Sequence, residues 1–201
     1  MTPGATSQLV ICGLGGQGIL FMAKLLAEAA MVEGCEVIVS ETHGMAQRGG
    51  AVESHVKIGP FQSPLVRLGH ADLTLALDAS RTEAARAYGK PESACLVNAA
   101  TAAAAKDGPT RHIAASAVAA EMGYARGANL VLVGYAAAAW PEALPSREAL
   151  LAAIDKLSPP VALKANREAL LKGCELATKR PASRPRPSRR PGPASKSRPK
   201  R

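Results

Sequence analysis

The sequence predicts an α/β fold with a mostly parallel sheet, and three observations carry that prediction. Apolar runs of strand length alternate with stretches of helical pattern. Two glycine-rich turns follow the first two of those runs. They are Gly13-Leu14-Gly15-Gly16-Gln17-Gly18 and Gly44-Met45-Ala46-Gln47-Arg48-Gly49-Gly50. In a parallel sheet, successive strands deliver their following loops to the same edge. Both turns should therefore face one crevice at the carboxyl ends of the strands, where such sheets bind ligands.

The elements follow in order. Gln8 to Cys12 is short and apolar, and a glycine turn stops it, as in a buried parallel strand. Ile19 to Val32 is rich in Leu, Met and Ala, with Gly34 placed to end a helix. Glu36 to Ser40 reads as the next strand, which completes a strand–helix–strand unit. Ala51 to Ile58 alternates, with Val52, Ser54, Val56 and Ile58 on one face and Glu53, His55 and Lys57 on the other. That pattern predicts a half-exposed strand at or near a sheet edge.

Leu73 to Leu77 is a further buried strand. Asp78 and Ser80 follow it, and Ser80 is placed to cap a helix from Arg81 to Tyr88. Gly89 and Pro91 should close that helix, and Ala94 to Val97 is another strand with Asn98 at its end. Thr101 to Asp107 is Ala-rich and has no clear pattern. Thr110 to Ile113 reads as a short strand and Ala114 to Glu121 as a helix ending at Gly123. Asn129 to Trp140 is apolar nearly all round, so it must be covered on most sides, by this domain or by a partner. Glu148 to Lys156 and Leu163 to Ala177 are amphipathic helices separated by Pro159-Pro160.

Composition narrows the function classes. The hydrophobic fraction of 47% suffices for a core, and the aromatic fraction of 3% means that Ala, Leu and Val build it. No apolar run reaches the roughly 18 residues that a membrane span needs. The first residues, MTPGATSQ, lack a charged and an apolar region, so the expectation is a cytoplasmic protein without a signal peptide. The four cysteines form no C-x-x-C pair, and no His stands at metal-ligand spacing from them. No zinc or iron–sulfur site is expected within the chain. Cys12 should be a buried structural thiol.

The formal charge of +9 belongs to one segment. Lys179 to Arg201 holds ten Lys or Arg and no acid, which leaves fifteen basic against sixteen acidic residues elsewhere. The expected division is a folded domain over residues 1–178 and a disordered basic tail over 179–201, too polar to bury a core. Such a tail attracts polyanions, but it has no aromatic residue for base stacking, so nucleic acid is not the expected partner.

The first turn matches G-x-G-x-x-G at Gly13, Gly15 and Gly18, between a strand and a helix. Glycine there allows a tight turn, close approach of a phosphate and close packing of helix on strand, while the helix N-terminus offers free N–H groups. A nicotinamide dinucleotide would want an acid at the end of the second strand, where Glu41 stands. Thr42-His43-Gly44 and a long glycine loop follow at once, which does not suit an independent dehydrogenase. In the second turn, Arg48 beside Gly49 and Gly50 suits a carboxylate or phosphate clamp, or a pair with Glu53 that fixes the loop.

GLGGQGI, followed by SETHGMAQRGG and an alternating strand, resembles the gamma-type subunit of the 2-oxoacid:ferredoxin oxidoreductases. THGMAQRGG is most similar to the indolepyruvate type, and GANLVLVG and NREALLKG also resemble that family. The resemblance spans roughly Gln8 to Ala177. It implies a three-layer Rossmann-like domain in an enzyme that decarboxylates a 2-oxoacid on thiamine diphosphate, passes electrons through iron–sulfur clusters to ferredoxin and forms an acyl-CoA. It implies that a larger alpha subunit holds thiamine diphosphate, magnesium and the clusters, and that this chain is inactive alone. It further implies that Gly13, Gly15, Gly16, Gln17 and Gly18 form a ligand-facing loop. Thr42, Gln47, Arg48, Gly49 and Gly50 would line the same crevice, on the coenzyme A side of the site. The rival reading is a nucleotide-binding regulatory or interaction module with a polyanion-binding tail.

Overall fold

The computed structural model describes residues 6–43, 50–100 and 110–179. The second glycine turn as far as Gly49, the Ala-rich stretch from Thr101 and the tail from Arg180 lie outside those residues. Twelve elements follow in order: β1 (Ser7–Leu14), α1 (Ile19–Val32), β2 (Val37–His43), β3 (Ala51–Ile58), β4 (Ala71–Ala76), α2 (Thr82–Tyr88), β5 (Gly89–Asn98), β6 (Thr110–Ile113), α3 (Ala115–Glu121), α4 (Ala128–Ala139), α5 (Arg147–Leu157) and α6 (Pro160–Lys179). The six strands form one sheet in the order β2-β3-β1-β4-β5-β6.

β1, β4, β5 and β6 run parallel, while β3 is antiparallel to both of its neighbours, β1 and β2. The sheet is therefore mostly parallel with one reversed strand, and α2 covers one face while α1, α3, α4 and α5 cover the other. β1 and β2 still point the same way, so their following loops reach the same edge. They are not neighbours, however, because β3 lies between them.

β3 lies next to the edge strand β2, as its pattern predicts, but it is not half-exposed. Its seemingly exposed face is covered: His55 is 2% exposed and Lys57 6%. Each polar group there has a partner from α2 or the connection to β4. Glu53 accepts from Arg81 at 3.0 Å and from the Tyr88 hydroxyl at 2.8 Å. His55 Nδ1 accepts from Val66 N–H, and its ring stands edge-on to Tyr88. The Lys57 ammonium lies 5.1 Å from the centre of the Phe61 ring. Alternation cannot distinguish water from a polar cover.

Other boundaries shift for local reasons. β1 runs on to Leu14, so Cys12 and Gly13 lie inside it, paired with Glu53 and Val52. β5 begins at Gly89, so Pro91 lies within the strand rather than after a helix. Asp78, not Ser80, makes the cap after β4: its carboxylate accepts from Ser80 N and Oγ. Gly34 ends α1 with a φ of 75°, and Cys35 N–H bonds back to Ala30.

α4 is covered within the chain. Nine of its twelve residues are buried. It crosses α6 at backbone contact, because both helices carry glycine there. A Cβ on Gly134 would lie 2.0 Å from the Leu170 carbonyl oxygen, and one on Gly173 would lie 2.1 Å from that of Val131. Among the described residues no helix is long and apolar enough to cross a membrane.

Candidate functional site

The carboxyl edge of the sheet brings the first glycine turn to the end of the second. Gly15 N–H donates to the Gly50 carbonyl at 3.0 Å. Gly15 and Gly16 are exposed, and Gly16 has a φ of 91° with open space where a Cβ would stand. Gly18 begins α1 in the left-handed region with a φ of 81°, and no side chain caps the helix. The first-turn N–H groups of α1 are left to solvent or a ligand.

α4 starts beside it. Its N-cap is Gly127, again without a side-chain cap. Both helix starts border a crevice of about 750 Å³. Asn129 fastens them: it is 8% exposed, its Oδ1 accepts from Leu130 N–H, and its Nδ2 points at the Gly18 carbonyl at 3.5 Å. A Cβ on Gly18 would come within 2.4 Å of that Nδ2. Arg126 stands exposed at the crevice wall and makes no ion pair among the described residues. The open start of α1 and one guanidinium make this edge favourable for an anion; α4 continues from a 3-10 turn at Ala125–Gly127, and its Leu130 N–H is taken by Asn129.

The remaining polar lining is braced. Gln17 Oε1 accepts from Leu14 N–H at 2.8 Å, and its Nε2 donates to Asp78 at 3.3 Å. The Ser80 hydroxyl and N–H, which Asp78 accepts, hold its carboxyl below the ordinary aspartate range, with Gln17 adding to the effect. Asn98 donates to the Leu77 carbonyl and to Ser116, and accepts from Ser116 N–H. Phe21, Leu77, Leu130 and Tyr124 supply an apolar wall. Among the described residues that line the crevice none is His, Cys, Asp, Glu or Lys. Its described lining suits holding and orienting a ligand, with Ser116 and Tyr124 as its only hydroxyls among the described residues.

The sequence-derived site residues divide into groups. Gly16, Gln17 and Gly18 line the crevice, and Gly15 and Gly50 join the two turns at its edge. Gly13 is buried in β1, where a Cβ would meet Gln17 and Ile19 at 2.7 Å, so it permits close packing. Thr42 is exposed on the edge strand β2 and does not line the crevice. Gln47, Arg48 and Gly49 lie outside the described residues. The sequence reading missed Arg126 and Asn129. Their signal was a cation, a glycine and an Asn just before an apolar helix, which the apolar run overshadowed.

Among the described residues no three of His, Cys, Asp and Glu stand close enough to hold a metal ion. Burial, with the Glu53 charge adding to it, pushes the Cys12 thiol up to about 12. It is an inert core thiol at neutral pH.

A glycine-lined crevice at the carboxyl edge of a mixed α/β sheet is the class of site this fold defines. The Pyruvate ferredoxin/flavodoxin oxidoreductase family model matches residues 8–176, and the chain belongs to that family. Indolepyruvate oxidoreductase subunit IorB of Archaeoglobus fulgidus is 51% identical over 70 residues, which are 35% of this chain and 35% of that relative. The chain spans less than half the length of the curated relatives it matches. The keto/oxoacid ferredoxin oxidoreductase gamma subunit from Geobacter sulfurreducens superimposes with a TM-score of 0.71 at 26% identity, covering 86% of this chain and 99% of that one. A 2-oxoglutarate:ferredoxin oxidoreductase from Magnetococcus marinus, solved with 2-oxoglutarate, coenzyme A and succinyl-CoA bound, shares the fold with a TM-score of 0.74 at 23% identity. That likeness covers 90% of this chain and 32% of the larger one.

Proposed function

We propose that this chain is the non-cluster subunit of an indolepyruvate-type 2-oxoacid:ferredoxin oxidoreductase in the cytoplasm, and that its crevice receives coenzyme A. The observation that carries this reading is the uncapped start of α1 beside Arg126, at the edge where Gly15 meets Gly50. Coenzyme A carries phosphates on an otherwise extended body. The α1 N–H groups and Arg126 are the groups that would hold those phosphates. The wall formed by Phe21, Tyr124 and Leu130 would lie along the less polar part of the ligand.

The missing chemistry is assigned to a large alpha subunit holding thiamine diphosphate, magnesium and iron–sulfur clusters, with ferredoxin as acceptor. Thiamine diphosphate supplies the electron sink for loss of the 2-oxoacid carboxylate. This chain supplies binding, orientation and exclusion of water around the thioester-forming end. The name of the Archaeoglobus fulgidus relative, together with THGMAQRGG, favours an arylpyruvate as the 2-oxoacid. Gln47, Arg48, Gly49 and Thr42 are proposed to complete the face toward the alpha subunit.

The test is co-purification. Tagged full-length chain, co-expressed with a large thiamine-binding alpha subunit of this enzyme type, should recover that subunit in fixed proportion. A chain that stays alone and binds a free nucleotide in the crevice would instead support a regulatory nucleotide-binding module.

A further inference from the structure

Gln17 in the first glycine turn is held by an acid 61 positions further along the chain. Its amide can lie in only one sense. Leu14 N–H is a donor and faces Oε1 at 2.8 Å, while the Asp78 carboxylate is an acceptor and faces Nε2 at 3.3 Å. Gly13 makes room for it, since a Cβ there would lie 2.7 Å from Oε1. The Gln17 backbone N–H closes the turn on the Leu14 carbonyl at 3.2 Å. Backbone and side chain of one residue thus shape the loop from Leu14 to Gln17, and the Gly15 bond to Gly50 is its other tie.

Asp78 is the fixed end of this brace. It follows Leu77, whose N–H donates to the Cys12 carbonyl at 2.8 Å and whose carbonyl accepts from Asn98 at 3.1 Å. Ser80 N–H and Oγ both donate to Asp78 Oδ1, at 2.9 and 2.6 Å, which leaves Oδ2 for Gln17. Gln17 lines the crevice and Asp78 does not. The brace therefore presents a neutral amide, not a carboxylate, to the space an anion would enter. Gly18 and the start of α1 follow Gln17 directly, so the held turn also aims the first N–H groups of that helix.

We propose that Asp78 is a positioning residue of the crevice: through Gln17 it holds the first glycine turn in the shape that the phosphates of coenzyme A require. The ligand rests on the coenzyme A reading, and the held turn rests on these bonds alone. Asp78→Asn isolates the effect. Its Oδ1 still accepts from Ser80, so the cap and the fold persist, but its NH2 then faces the Gln17 NH2. Gln17 cannot turn over without losing Leu14 N–H. Adding Gln17→Glu exchanges carboxylate and amide across the same gap and renews both bonds.

The experiment has two readouts. Amide hydrogen exchange of the full-length chain compares Leu14 N–H, bonded to the Gln17 side chain, with Val10 in the buried part of the same strand. Asp78→Asn should speed exchange at Leu14 by about tenfold and leave Val10 protected, and the exchanged pair should restore Leu14. In the assembled enzyme, Asp78→Asn should raise the KM for coenzyme A by about tenfold and lower kcat much less. Loss of a negative charge by itself favours an anion, so a raised KM reports the turn and not the charge. The brace is overturned by unchanged exchange at Leu14, by equal acceleration at Leu14 and Val10, or by an exchanged pair that restores nothing. Its role in binding is overturned if the KM is unchanged in Asp78→Asn but raised in Gly16→Val. An unchanged KM in both variants contradicts the coenzyme A reading instead, and the exchange rates then decide the brace.

Discussion

Gly15 donates its N–H to the carbonyl of Gly50 at 3.0 Å, so the loop after the first strand is fastened to the start of the third. The first glycine turn and Gly50, which ends the second, meet at one rim. Of the glycines in the first turn, Gly16 separates ligand binding from folding most cleanly. A Cβ at Gly13 or Gly18 would strike Gln17, Ile19 or Asn129, whereas at Gly16 it meets nothing within 4 Å. Gly16→Ala should fold with a loss of roughly 1–2 kcal/mol from its left-handed backbone. Gly16→Val should raise the apparent KM for coenzyme A in the assembled enzyme. Steady-state kinetics with varied coenzyme A checks this; unchanged coenzyme A kinetics in an assembled Gly16→Val enzyme would remove the loop from the binding site.

Arg126 gives a second reading of the same crevice. Its replacement by Ala removes an exposed cation that makes no ion pair among the described residues, and no packed core group, so the melting temperature should hold. Coenzyme A binding should weaken by about tenfold, as for loss of one charge-assisted contact. Equilibrium binding to the assembled complex decides it, and equal affinities would place the anion elsewhere.

The crossing of α4 and α6 should be the most sensitive packing site in the fold. Gly134→Ala and Gly173→Ala each place a methyl group against backbone, which cannot rotate away. Each should cost roughly 3 kcal/mol, the upper end of overpacking effects. Urea unfolding at equilibrium measures it, and a loss below about 1 kcal/mol would mean that the helices separate easily.

His55 should make stability fall in mild acid. Burial is the largest influence on it and lowers its pKa; the Glu53 carboxylate opposes this and Lys57 reinforces it. The folded pKa therefore lies below the unfolded one of about 6.5. The stability it contributes is present above that value and is lost as pH falls through the folded pKa. The urea midpoint should drop more between pH 7.5 and pH 5 in wild type than in His55→Asn, which keeps an acceptor for Val66 N–H. Equal drops would assign the acid sensitivity to other groups.

Much of this architecture was legible in the sequence. The run from Gln8 into GLGGQGI and the helix after it announced themselves through a strand-length apolar stretch, glycine punctuation and a change of period. The apolar α4 likewise required cover, which α6 provides. What escaped was tertiary. The polar face of β3 looks solvent-facing until Arg81, Tyr88 and Phe61 are brought over it from later in the chain. Gly134 and Gly173 are 39 positions apart and acquire meaning only where their helices cross. Gln17 reads as a ligand contact within the motif, yet both ends of its amide are engaged by Leu14 and Asp78. Arg126 and Asn129 join the site because α4 starts where α1 starts, which no local pattern encodes.

The most direct measurement is coenzyme A-dependent reduction of a viologen dye under anaerobic conditions, with an arylpyruvate as substrate. It compares the purified chain, the large subunit and their co-expressed complex. The account predicts a colourless, inactive chain and a brown complex that reduces the dye only when both arylpyruvate and coenzyme A are present. Activity from this chain alone, or a large subunit fully active without it, would contradict the account.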